Sequence, residues 1–184
     1  MERWKTEQDR VVFDARIFKV HQVTRSHPKL GSGTFVVLES PNWVHIIPVT
    51  PENKVVFVRQ YRHGTGEFSL EIPSGLIEPG ETPVAAARRE CLEETGYAGE
   101  GEPQLLGICE PNPAFLNNRC YTFVWNECRP VQSQQLDRHE EIEVVEIPRD
   151  RVLGLICNGQ IRHSLMITAF AFWFFQCRAE ESAK

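Results

Sequence analysis

Apolar and polar residues alternate roughly two by two over residues 11–20 (VVFDARIFKV) and 34–39 (TFVVLE), the pattern of strands that bury one face. Residues 21–25 extend the first of these, and the turn-rich HPKLGSG (27–33) separates the two. Residues 1 to about 10 are polar and read as loosely held, with Trp4 as an anchor. Two apolar runs, 43–49 (WVHIIPV) and 55–61 (VVFVRQY), read as strands joined by a Pro/Asn turn. Further strands are expected at 68–72 (FSLEI), 104–110 (QLLGICE), 119–125 (RCYTFVW) and 142–147 (IEVVEI). The period changes to that of a helix over 83–95, over 149–157 and over 161–177. The last of these is apolar nearly all round, so it belongs in a core or against a partner; residues 178–184 read as a frayed tail. Strands, one helix, more strands and a terminal helix give an α/β or α+β fold.

Composition narrows the class. At 184 residues and 41% hydrophobic, the chain suits one domain of ordinary size with a small N-terminal appendage. A net charge of −5 argues against a nucleic-acid surface, which needs a basic stripe. The six cysteines form no C-x-x-C pair, and no signal peptide or membrane-length apolar run is read, so free thiols in a reducing cytoplasm are expected. The six histidines show no zinc-ligand spacing, and His163 reads as a satisfied interior or interface residue.

The chemistry concentrates in residues 75–97, GLIEPGETPVAAARRECLEETGY. Thr82 is suited to cap a helix, Pro83 to its first position, and Gly96 to the left-handed residue that ends it. Glu90 and Glu94 are four apart and share a face, where like charges repel unless a cation lies among them. Glu93 follows Arg89 by four, so Arg89 can pair with it. Val84, Ala87 and Cys91 fall on another face and can pack inward. An acidic ridge of oxygen donors suits Mg²⁺ or Mn²⁺ bound together with substrate phosphates.

This stretch resembles the signature of the Nudix hydrolases, G-x5-E-x7-R-E-U-x-E-E-x-G-U with U apolar. Gly75, Glu81, Arg89, Glu90, Glu93, Glu94 and Gly96 fall in register, with Cys91 and Tyr97 at the U positions. The resemblance implies a mixed sheet sandwiched between helices, the signature forming a loop–helix–loop. The N-terminal antiparallel β appendage (1–44) would precede the hydrolase domain (45–184). It also implies metal ligands: the Ser74 carbonyl, Glu90, Glu94 and Glu93, with Glu81 reaching the cluster through water and Arg89 orienting Glu93 and Glu81.

Neighbouring residues resemble one branch of that family, the ADP-ribose and nucleoside diphosphate sugar pyrophosphatases. Gln60-Tyr61-Arg62 precedes Leu70-Glu71-Ile72-Pro73-Ser74-Gly75, and Pro113 lies sixteen after Tyr97. By this resemblance Arg62 contacts the diphosphate, and Glu71 reaches a metal or a ribose hydroxyl. Residue-level readings also allow a surface arginine and a structural salt bridge. Asn112, Phe115 and Asn117 would stand at the mouth of the site. Trp43, Trp4 and Phe18 are candidates for stacking on the base. Glu140, then Glu141, is the expected catalytic base, with Glu93 as the fallback. N-terminal strands exchanged between subunits would make a homodimer. Two other readings stand beside this one: hydrolysis of dinucleotide polyphosphates or nucleoside triphosphates, and a nucleotide-sugar sensor without catalysis.

Overall fold

In this computed structural model residues 1–182 are described, with side chains to residue 179. The chain forms two compact units. One comprises Met1–Asn42 and Glu110–Arg119; the other comprises Trp43–Cys109 and the described residues from Cys120 onward.

The first unit is a three-stranded antiparallel sheet of β1 (Lys5–Asp14), β2 (Lys19–His27) and β3 (Gly31–Glu39) in that order. Strand β1 starts inside the segment expected to be loose. Its side chains are all exposed, so nothing apolar announces its polar start; residues 11–14 fall in the run expected as a strand, but that run breaks at a turn over 15–18 before β2, where the Ala15 N–H donates to the Phe18 carbonyl. Backbone pairing to β2 carries it, helped by cross-strand polar contacts: Asp9 with His21 Nδ1 at 2.7 Å, Ser26 Oγ donating to Glu7 at 2.7 Å, and Arg10 donating to Gln22 at 2.7 Å. Residues 110–119 join this unit through β3. The Leu38 N–H donates to the Phe115 carbonyl at 2.7 Å, and the Ser40 N–H donates to Asn117 Oδ1.

The second unit is a mixed α/β body. In chain order it contains β4 (Trp43–Pro48), β5 (Lys54–Arg62), β6 (Glu67–Glu71), β7 (Ser74–Leu76), α1 (Pro83–Thr95), β8 (Tyr97–Ala98), β9 (Gln104–Cys109), β10 (Cys120–Trp125), β11 (Arg129–Pro130), β12 (Ile142–Pro148), α2 (Arg149–Cys157) and α3 (Ser164–Ser182). One sheet runs β7-β4-β10-β9, a second β12-β5-β6, and β11 pairs with β8. Among the strand pairs of this unit β4 and β10 are the parallel one, which fits β4 being buried on both faces, apolar apart from His45.

Two cores follow. Ala86, Ala87 and Cys91 of α1 pack with Val44, Ile46, Phe123 and Trp125. Met166, Ala169, Phe170 and Trp173 of α3 pack with Ile47, Phe57 and Ile72. Helix α3 begins three residues later than its apolar run. Residues 160 and 161 instead donate their N–H groups to the Leu155 carbonyl, closing the turn after α2. It also runs on past Cys177, because no Gly or Pro follows to stop it.

Candidate active site

Helix α1 is placed by its ends. The Thr82 side chain accepts from the Ala85 N–H, Pro83 opens the helix, and Gly96 closes it at φ 74° with its N–H on the Leu92 carbonyl at 2.8 Å. A side chain at Gly96 would also run into the Gln132 carbonyl. The buried face of the helix then fixes where its glutamates point.

Arg89 is the hub. Its Nε and Nη2 donate to the two oxygens of Glu81 at 3.0 Å each, and Nη1 donates to Glu90 at 2.7 Å and Glu93 at 3.0 Å. Nη2 also reaches the Leu76 carbonyl at 2.9 Å. Hydrogen bonds donated to Glu81 hold the guanidinium protonated far beyond its ordinary range. The same contact holds the Glu81 carboxyl below its usual value.

Glu94 stands apart from that fork. It is 5% exposed and accepts from the Ser74 N–H at 3.0 Å. Burial pushes its carboxyl up to about 8, the Ser74 hydrogen bond only partly opposing this, with Glu90 adding to the rise. Burial likewise raises Glu90, against the pull of Arg89. Gly75 has no room for a side chain, since a Cβ there would overlap the Glu90 carboxyl. This is a reason, in packing, for glycine at the head of the signature.

These groups border a cavity of about 1330 Å³ in the second unit. Ser74, Arg89, Glu90, Glu93 and Glu94 line one side, with Trp43 at the start of β4. Arg62 and Glu71 line it as well, but they are joined to each other. Arg62 Nε and Nη2 donate to the two Glu71 oxygens at 2.9 and 2.6 Å. Burial alone would raise the Glu71 carboxyl; the bidentate Arg62 contact outweighs it and leaves the group below its usual value. Glu71 is fully buried and is taken up by this pair, whereas Nη1 of Arg62 has no part in the fork.

The segment after β11 reaches the site through backbone ties that no periodic pattern signals. The Gln134 side chain donates to the Glu94 and Ile142 carbonyls, and the Gln135 N–H donates to the Glu93 carbonyl at 2.8 Å. Asp137 and Glu140 then close a turn, Glu140 N–H to the Asp137 carbonyl and Asp137 N–H to the Glu140 carboxylate. Glu140 lines the cavity; Glu141 is outside its lining. The lining comes wholly from the second unit, so Pro113, Phe115 and Asn117 are described only within the first. His163, expected to be satisfied, also lines the cavity, and its Nδ1 is buried without a partner, as is Nε2 of Gln60.

A divalent cation fits the donor chemistry: Glu90, Glu93 and Glu140, all hard oxygen donors, line the cavity together with the buried Glu94 carboxyl, whose hydrogen bond comes from the Ser74 N–H. Among the described residues no three acidic, histidine or cysteine side chains are already gathered as a cation site; Glu90 and Glu93 are turned to Arg89.

Residues 41–167 match the NUDIX domain family model. A methanol dehydrogenase activator of Bacillus methanolicus is 30% identical over 91% of this chain and 89% of its own length. An ADP-ribose pyrophosphatase of Bacillus subtilis is 26% identical over 95% of this chain and 93% of its own. An ADP-sugar pyrophosphatase of Mus musculus is 47% identical over a shorter stretch, 47% of this chain and 40% of its own. Among solved structures, an ADP compounds hydrolase aligns with a TM-score of 0.85 over 98% of this chain and 97% of its own, at 20% identity, a likeness of fold.

Proposed function

The chain belongs to the NUDIX family, and from that premise we propose that it hydrolyses the diphosphate bond of ADP-ribose or a related nucleoside diphosphate sugar, releasing a nucleoside monophosphate and a sugar phosphate. The observation that carries this reading is the gathering of the α1 carboxylates and Arg62 around one cavity large enough for a two-part substrate. The relatives named for ADP-ribose and ADP-sugar pyrophosphatase activity support the substrate class.

Glu90, Glu94 and the Ser74 carbonyl, with Glu93, would hold Mg²⁺ or Mn²⁺. Such an ion supplies charge neutralisation at the diphosphate and lowers the pKa of water. Arg62 presents its unforked Nη1 edge to the diphosphate oxygens, while Glu71 holds the guanidinium in place. Arg89 orients Glu81 and Glu93 and does not touch substrate. Glu140 accepts the proton of the attacking water, which adds to phosphorus as the P–O bond to the leaving phosphate breaks. Its place on a turn lets it move toward the bound substrate. Trp43 offers a face to the ligand. Pro113, Phe115 and Asn117, with Glu141 as a second base, remain part of the proposal from the resemblance alone.

The first unit, residues 1–44 by the sequence reading, is proposed as a dimerisation element. Phe13, Ile17 and Val36 leave more than half their surface exposed there, an apolar area that a second copy would cover. A cytoplasmic location is proposed from the six free cysteines.

The deciding experiment is product analysis with Mg²⁺ on ADP-ribose, UDP-glucose, GDP-mannose, a diadenosine polyphosphate and a nucleoside triphosphate. Preference for ADP-ribose or the sugar nucleotides supports the reading; preference for the last two keeps the family and overturns the substrate. Binding without turnover returns the sensor.

A further inference from the structure

Part of the cavity lining carries donors that the hydrolytic chemistry does not use. Helix α3 begins there. The His163 carbonyl accepts the first helical bond, from the Ile167 N–H at 3.1 Å, so the N–H groups of Ser164, Leu165 and Met166 precede any intrahelical acceptor. No acidic side chain stands in that first turn to compensate the positive end of the helix.

The helix start is fixed along β6. Arg162 pairs with Glu67 at one end of the strand, and the Ile72 N–H points at Met166 Sδ at 3.3 Å just past the other. Between them lies Ser69, which pairs across to Gln60 on β5. Gln60 is 8% exposed, lines the same cavity as His163 and Ser164, and has no partner for Nε2. His163 Nδ1 is likewise unpartnered. Two orphaned polar atoms beside a helix amino end are an unfavourable arrangement, since a buried unpaired donor costs its full desolvation. A ligand oxygen would relieve it.

We propose that Gln60, His163 and the first turn of α3 form a subsite for the sugar of the substrate. Gln60 Nε2 donates to a sugar hydroxyl oxygen, His163 Nδ1 pairs with another hydroxyl, and the free helix N–H groups complete the contact. This rests on the nucleoside diphosphate sugar reading for what occupies the rest of the cavity. The diphosphate then lies by the α1 carboxylates and Arg62, and the sugar extends to α3. A hydroxyl-rich group suits the subsite because each hydroxyl oxygen can accept from Gln60 Nε2 or a helix N–H, and each hydroxyl can also donate to His163 Nδ1.

The test compares the two halves of the product. Ribose 5-phosphate and AMP are titrated separately, by calorimetry, into the full chain, Gln60→Leu and His163→Ala, each checked for fold by circular dichroism. Gln60→Leu keeps the volume and removes an unpaired polar group, so it should fold. The expected result is about tenfold weaker ribose 5-phosphate binding in each variant, the worth of one lost hydrogen bond, with AMP binding unchanged. Equal weakening of both ligands, no weakening of ribose 5-phosphate, or no ribose 5-phosphate binding to the parent protein overturns the subsite. Turnover of the substrate panel by the parent protein is read separately. If no sugar nucleotide is cleaved while ribose 5-phosphate binding is lost in the variants, the proposed reaction fails and the subsite stands.

Discussion

Glu94 and His45 are buried titratable residues with opposite consequences. The Glu94 carboxyl sits near 8 because burial penalises its charge. At neutral pH the metal-free protein therefore keeps much of it protonated, and a bound cation must displace that proton. Titrating Mg²⁺ into weakly buffered protein at pH 7 should release protons, and Glu94→Gln should abolish both that release and turnover. Absence of proton release from the parent protein would remove Glu94 from the ligand set. Gly75 tests the same corner sterically. Gly75→Ala drives a Cβ into the Glu90 carboxyl, so activity should fall about a hundredfold while the circular dichroism spectrum is kept. Much of this corner was legible in the sequence, because the spacing of Glu90 and Glu94 puts them on one helix face; Gly75, expected on a loop, instead lies in the short strand β7. The Arg62–Glu71 fork was legible only in part. A structural salt bridge was one reading of Glu71 beside its ligand role, but its partner is revealed only by the pairing of β5 with β6.

At the scale of elements, α1 was readable to the residue, since its cap, its opening proline and its closing glycine are all local signals. Thr82→Ala should cost about 1 kcal/mol, seen as a lower urea midpoint at unchanged slope. The polar start of strand β1 was missed for the converse reason: it buries no side chain, so it depends on pairing with β2, whereas residues 11–14 lie in a run already expected as a strand. The link from β11 to β12 was equally silent, because it is held by the Gln134 side chain and the Gln135 N–H on backbone carbonyls, contacts that no periodic pattern signals.

For the whole molecule, stability should depend on pH in a way that the metal alters. His45 is buried against Cys120, and burial, followed by the nearby His163, holds its pKa down at about 3. The folded protein keeps it neutral while the unfolded chain protonates near 6.5, so its contribution is full above 6.5 and is lost as pH falls toward 3. The slope is at most about 1.4 kcal/mol per pH unit. Glu94 acts with the reverse sign. Its folded value is raised, so the metal-free protein loses stability as pH rises from about 4.5 to 8. Urea melts should then show a stability maximum on the acid side of neutrality without metal. Saturating Mg²⁺ should shift that maximum upward, and a curve indifferent to Mg²⁺ would contradict the assignment. The fold class at this scale followed from the order of strands and helices. The division into units did not, because residues 110–119 return to the first unit through backbone pairing with β3.

The turn that carries Glu140 is moored at both ends. Gln135 is bound to the Glu93 carbonyl, and Ile142 is paired with Gln60 on β5. Six residues of slack separate the moorings, and the first mooring is on the same helix that presents Glu90 and Glu94. The travel of the base is thus set by a leash whose fixed point moves with the carboxylates it serves. Lengthening that leash by two glycines should leave melting unchanged and slow the turnover step, because the reach grows while the aim is lost. In such a protein the rate of the reaction would be a property of chain length as much as of side chain chemistry.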